Sequence, residues 1–228
     1  MLERYTFLAV LLFSLLAVGV GIMLPGEQSK EPLYLPWQIE KTESGSTRVL
    51  GLELGKSTLL DAQRRFREVY EVTLFVHPDG NRVVEAYFDQ TALNGFRARV
   101  VLVMSLSSEQ MEAFYRRGVR VATLGSGTRK VTLADSDLAA LASMPFDSLT
   151  YIPKSNLSAE LVEARFGAPA QRIRKQGKDG TVEHWLYPEK GLDLSLHEKG
   201  KEVLQYVIPA RFDELRKPLL EQGELVSG

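Results

Sequence analysis

Residues 72–88 read VTLFVHPDGNRVVEAYF. Two runs of alternating apolar and polar residues flank Pro78-Asp79-Gly80. Alternation with a period of two marks a strand that buries one face. Asp-Gly between two such runs turns the chain back on itself, because glycine tolerates the positive φ of a tight turn. The stretch therefore reads as an antiparallel hairpin. It speaks against the parallel strand-helix-strand order of a nucleotide hydrolase, which bears on the residues just before it.

Those residues, 51–58, read GLELGKST. A phosphate-binding loop carries four residues between its first glycine and its Gly-Lys-Ser/Thr. Gly51 and Gly55 enclose only Leu52, Glu53 and Leu54. One residue short, successive backbone N–H groups cannot close around a phosphate, and Glu53 would repel one. Thr58 and Asp61 have instead the spacing of a capping box, which satisfies the free amides at a helix start. The helix TLLDAQRRF follows, with Leu59, Ala62 and Phe66 on one face. No nucleotide and no other cofactor is expected.

The same order recurs one hundred residues later. Thr58 falls on Ser158, Arg65 on Arg165 and Phe66 on Phe166. Asp79-Gly80 falls on Asp179-Gly180, Tyr87 on Tyr187 and Val103 on Val203. The second copy runs SAELVEARF, then RIRKQGKDGTVEHWLY, with Leu161, Val162 and Phe166 as the apolar residues of its helix. ARVVLVM supplies a third strand in the first copy; GLDLSL and EVLQYVI are two candidates in the second. SSEQMEAFYRR and ARFDELRK read as closing helices. Phe66 and Phe166 are expected as equivalent core residues, Arg65 and Arg165 towards solvent, and Tyr87 and Tyr187 on matching strands.

The N-terminus is a different kind of segment. Tyr5 to Leu24 carries no charge. As a helix at about 1.5 Å per residue it is about 30 Å long, the depth of a bilayer's hydrocarbon core. It is expected to be a single transmembrane anchor, a cleaved signal peptide being the alternative. Arg4 and the α-amino group lean towards a cytoplasmic N-terminus. That places the body in the periplasm of a bacterial inner-membrane protein.

The expected fold class is α+β: an N-terminal transmembrane helix, then two tandem modules, each a helix packed on a small antiparallel sheet. The expected divisions are 1–24 anchor, 25–48 linker, 49–118 first module, 119–148 connector with one short helix, and 149–228 second module. In the linker, Leu33, Tyr34, Leu35, Trp37 and Ile39 alternate in part like a strand and are placed to dock on the body. In the connector, Gly125-Ser126-Gly127 is a turn, and Asp135 or Ser136 is expected to cap the helix.

Composition narrows the chemistry. The 228 residues are 44% hydrophobic and 25% charged with a net charge of −1, which suits globular domains and leaves no electrostatic footprint for nucleic acid. The absence of cysteine excludes disulfides, thiolate nucleophiles and cysteine-bound zinc. Of the three histidines, His184 and His197 could sit on adjacent strands, but their spacing implies no third ligand for a metal. No serine stands in a nucleophile-elbow context, and Ser126 is turn material. Trp185 and Tyr187 read as the core face of a strand. Arg116, Arg117, Arg120, Arg129 and Lys130 form a loose basic stretch, the candidate partner-binding residues.

The second copy also carries a family pattern. LSAELVEARFGAPAQ at 157–171, followed by a hairpin ending in HWLYP at 184–188, resembles the BamE/SmpA/OmlA-like envelope module. Ser158, Val162, Phe166, Gly167, Pro169, Trp185 and Tyr187 carry the resemblance, which is clearest over 157–207 and weaker over 55–104. It implies a helix leading into a three-stranded antiparallel sheet, and a module that binds proteins or lipids without catalysis. Those lipoproteins carry a lipidated cysteine and this chain has none, so no partner is carried over. The expected function is a membrane-anchored periplasmic binding or scaffolding protein with a protein partner in the envelope. A periplasmic hydrolase and a secreted ligand-binding or inhibitor module are the alternatives.

Overall fold

The computed structural model describes residues 33–177 and 180–226. The chain divides after Leu33, and the anchor expected over Tyr5 to Leu24 lies outside the described residues. Among the described residues no helix is long and apolar enough to cross a membrane. The longest has 10 residues and is rich in charge, against the roughly 20 apolar residues that a span requires. The described fold therefore contains no transmembrane helix.

Three short strands, β1 (Glu40–Lys41), β2 (Thr47–Val49) and β3 (Leu52–Glu53), form a small antiparallel sheet. Helix α1 (Leu59–Phe66) leads into β4 (Glu71–Val76), β5 (Arg82–Leu93) and β6 (Phe96–Met104). Then come α2 (Ser108–Arg116), the hairpin β7 (Arg120–Thr123) and β8 (Arg129–Thr132), α3 (Asp135–Leu141) and β9 (Phe146–Pro153). Helix α4 (Ala159–Phe166) precedes β10 (Gln171–Gly177), β11 (Gly180–Tyr187), β12 (Leu192–His197) and β13 (Val203–Val207). Helix α5 (Asp213–Gln222) and β14 (Glu224–Leu225) close the described chain.

Two separate small sheets do not form. One 11-stranded sheet runs in the order β14-β10-β11-β12-β13-β9-β6-β5-β4-β8-β7. Outward from the central β9–β13 pair it reads β6, β5, β4 on one side and β12, β11, β10 on the other. Each half is thus a helix followed by a four-strand meander, β4-β5-β6-β9 and β10-β11-β12-β13. The first half carries α2, β7, β8 and α3 as an insertion before its fourth strand. The expected boundary near residue 149 cuts through β9, the strand that joins the halves. Both GLDLSL and EVLQYVI are strands, because the second meander needs four.

The two helices start and end on related chemistry. Thr58 Oγ1 accepts from Asp61 N at 3.2 Å while Asp61 Oδ2 accepts from Thr58 N at 2.9 Å. GLELGKST is therefore a β3 strand and a helix cap, with Lys56 exposed beside Glu53. Ser158 Oγ caps α4 through Leu161 N. Phe66 and Phe166 are both buried at the last helical position. Phe66 meets Phe88 edge to face, with centroids 5.0 Å apart, and Phe166 packs on Tyr187. The structural partner of Tyr187 is therefore Phe88; Tyr87 lies on the opposite face, its hydroxyl donating to Asp89. Leu161, expected inward, is exposed.

The two equivalent arginines do not simply face solvent. Arg65 stacks 3.4 Å from the Tyr34 ring and donates to Leu50 O. Arg165, although exposed, lies over Trp37 at 4.9 Å. Residues 34–37 therefore form a strap held by one arginine from each half. Tyr206, fully buried on β13, donates its hydroxyl to Pro36 O at 2.7 Å. The docking expected of this segment is seen. In the insertion, the N-cap position of α3 is Ala134, with no side-chain cap, rather than Asp135 or Ser136.

Two outcomes follow from these positions. Arg67 closes α1 with φ of 53°, the left-handed region, where α4 has Gly167 with φ of 80°. A side chain there crowds the backbone, so Arg67→Gly should raise stability by up to about 1 kcal/mol in urea unfolding. Burial pushes the Tyr151 and Tyr187 hydroxyls up to about 12, and the Tyr206 hydroxyl is raised well above its ordinary value. The folded chain then keeps protons that the unfolded chain releases near 10.0. Stability should be complete below that pH and fall as pH rises towards about 12. Tyr151→Phe should make that decline shallower in pH-dependent denaturation.

Candidate functional site

The basic stretch resolves into anchored and free cations. Arg116 Nε donates to Glu112 Oε1 at 2.8 Å, one helical turn back. Arg117 Nη2 pairs with the buried carboxylate of Asp137 on α3 at 2.7 Å. That bond holds the Arg117 guanidinium above its ordinary value. Arg129 Nη1 donates to Tyr115 Oη on α2 at 2.7 Å. Arg117 and Arg129 tie elements of the insertion together, while the Arg116 pair lies within α2. Among the described residues, only Arg120 and Lys130 of the five have exposed side chains without a polar partner.

Arg120 and Lys130 lie on the outermost hairpin of the large sheet. Arg120 pairs in register with Thr132, and Ala122 with Lys130. Alternation puts Arg120 and Lys130 on one face and Val121 and Val131 on the other. Val131 is buried, but Val119 is 72% exposed and Val121 49%. Every residue of β7 is exposed. Leu124 N bonds Thr128 O inside the hairpin turn; by alternation the amides and carbonyls of Val121 and Thr123 turn to the open side. Proteins usually blunt such an edge with a proline, a bulge or a very short strand. The opposite edge, β14, has only 2 residues. Strand β7 carries no proline and ends the sheet openly.

The alternation Val119, Val121 and Val131, Leu133 around Gly125-Ser126-Gly127 was the available signal for this hairpin. Its position at the sheet edge is a property of long-range pairing with β4.

The histidines make a second polar cluster. Strands β11 and β12 set His184 opposite Ser195 and Val182 opposite His197, so the two histidines lie on adjacent strands and share one face. His184 Nδ1 is 2.9 Å from Asp193 Oδ2, and Ser195 Oγ is 3.2 Å from His197 Nε2. A cavity of about 340 Å³ lies over them. A hydrolytic triad needs one imidazole to hold both the serine and the acid. Here the acid holds one histidine and the serine the other, in mid-strand, where the ladder already engages the backbone amides that could stabilise an oxyanion. Asp193 is buried, and His184 is the partner that offsets its desolvation.

Glu85 is the carboxyl that burial pushes up among the described residues. Its cross-strand neighbours are Thr73 and Val103, not a second carboxylate. Among the described residues no group of three His, Asp or Glu side chains could hold a metal ion. Trp185 and Tyr187 are buried core residues.

No family model, curated protein or solved structure matches this chain. The resemblance of residues 157–207 to the BamE/SmpA/OmlA-like module therefore stands on its residues alone.

If His184 serves Asp193 structurally, His184→Ala should cost about 1.5–3 kcal/mol, the range for a hydrogen bond to a charged group. Chemical denaturation measures it. Ser195→Ala should cost less, because that hydroxyl's partners, His197 and the Val203 carbonyl, are only part-buried.

Proposed function

We propose that this protein is a non-catalytic binding or scaffolding protein that captures an extended segment of another protein along β7. The observation that supports the reading is the open β7 edge, with Val121 on one face, exposed Val119 just before the strand, and unpartnered Arg120 and Lys130 on the other face. An added strand would gain main-chain hydrogen bonds at Val121 and Thr123. Its side chains would alternate, acidic residues towards Arg120 and Lys130 and apolar ones towards Val121. The resemblance of the second half to envelope modules favours the bacterial envelope as the setting, and cell fractionation tests that placement.

The probe is a labelled peptide alternating glutamate and valine, followed by fluorescence anisotropy. Binding should weaken with salt, because the cations are exposed. Arg120→Glu should weaken it several-fold at low salt. Val121→Pro should abolish it while leaving the melting temperature nearly unchanged, since the amide lost points out of the ladder. Equal binding to Val121→Pro, or none to the native chain, would overturn the reading.

A further inference from the structure

A second feature lies at the junction of the two halves. A cavity of about 290 Å³ is lined by Arg82 and Val103 from the first half, Ser148 on the joining strand β9, and Val207 and Leu215 from the second. At roughly 30 Å³ per water it holds about ten waters' worth of space. It exists only because the two meanders share one sheet.

Two polar atoms on its wall are buried without a hydrogen-bond partner, Ser148 Oγ and Arg82 Nε. The reason for the first is visible in the register. Ser148 pairs with Val103 on one side and Val207 on the other, so its flanking side chains offer no acceptor. Ser148 is 9% exposed. Arg82 directs Nη2 to Glu112 Oε2 at 2.6 Å and lies over the Tyr115 ring, which leaves Nε–H free. A buried donor with no acceptor is costly, and the Ser148 hydroxyl, on the sheet face of Val103 and Val207, points to an oxygen in the cavity beside it.

The rest of the lining limits what carries that oxygen. Leu106, Met111, Val207 and Leu215 are apolar. The second guanidinium, Arg211, is already balanced by Asp147 at 2.7 Å and Glu214 at 2.9 Å. Arg82 is balanced by Glu112. The cavity therefore has no surplus of positive charge to hold a phosphate or another multiply charged anion.

We propose that this cavity binds a small amphiphile: an aliphatic chain ending in an oxygen acceptor, a carboxylate or an alcohol. The oxygen accepts from Ser148 Oγ–H, and Arg82 lines the same cavity. The chain lies along Val103, Leu106, Met111 and Leu215. This site is separate from strand capture at β7 and does not depend on it.

The test is calorimetric titration of the whole chain with octanoate and, separately, 1-octanol, each below its aggregation threshold. At least one should bind, and the preferred head group identifies the source. Ser148→Ala should weaken binding about five- to tenfold, the loss of one hydrogen bond. Its melting temperature should stay unchanged or rise, because the hydroxyl removed is unpaired in the empty protein; a purely structural serine would lower it. Leu106→Trp should block binding by filling the space, and the Arg82 Nε–H resonance should shift on titration of the native chain. The proposal is overturned if neither compound binds, or if Ser148→Ala binds as tightly as the native chain with no shift at Arg82.

Discussion

The pairing of β9 with β13 is the constraint on which the molecule rests. Leu204 faces Tyr151 and Tyr206 faces Leu149 across it, and all four side chains are buried. Through this pair two four-strand meanders become one sheet, and the edge that each would expose is covered by the other. An exposed strand edge of apolar residues invites aggregation; joining the halves removes two such edges at once. Tyr206 and Tyr151 lie at the seam with hydroxyls that burial pushes up, so rising alkali acts on it.

The strap over the helices belongs to the same arrangement. Arg65 and Arg165 occupy equivalent positions on α1 and α4, and each stacks on one aromatic ring of residues 34–37. The Tyr206 hydroxyl reaches the strap from the seam. One short segment thus touches both helices and the central strand. Guanidinium stacking of this kind contributes about 0.5–2 kcal/mol per contact, more where it is desolvated. Arg65, half-buried and bonded to Leu50 O, is the stronger of the two contacts.

The polar groups sort by what surrounds them. Asp193 and Asp137 are buried and each has a cationic or imidazole partner within hydrogen-bond reach, which is how a folded chain tolerates them. Ser148 Oγ and Arg82 Nε lack that compensation and sit where the two halves meet. The edge strand β7 is unusual in the other direction, since its unpaired groups are exposed rather than buried. The open edge and the junction cavity are the two features on which the proposed binding rests.

Local sequence determined much of the chain's local structure. The hairpin at Asp79-Gly80, the cap at Thr58, the buried Phe66 and Phe166, and the adjacent strands of His184 and His197 follow from short-range patterns, because turns, caps and strand alternation are set within a few residues. The distinction between Tyr87 and Phe88 was lost because a one-residue offset in the repeat exchanges the faces of a strand. Only tertiary structure decided that FDSLTYIP is a central strand, that VRVAT is an edge, and that two modules share one sheet. Each depends on which strands pair over long separations, and identical alternation suits an edge, a centre or two separate sheets. The junction cavity was illegible for the same reason: Arg82, Ser148 and Val207 acquire a common wall only when β9 meets both β6 and β13.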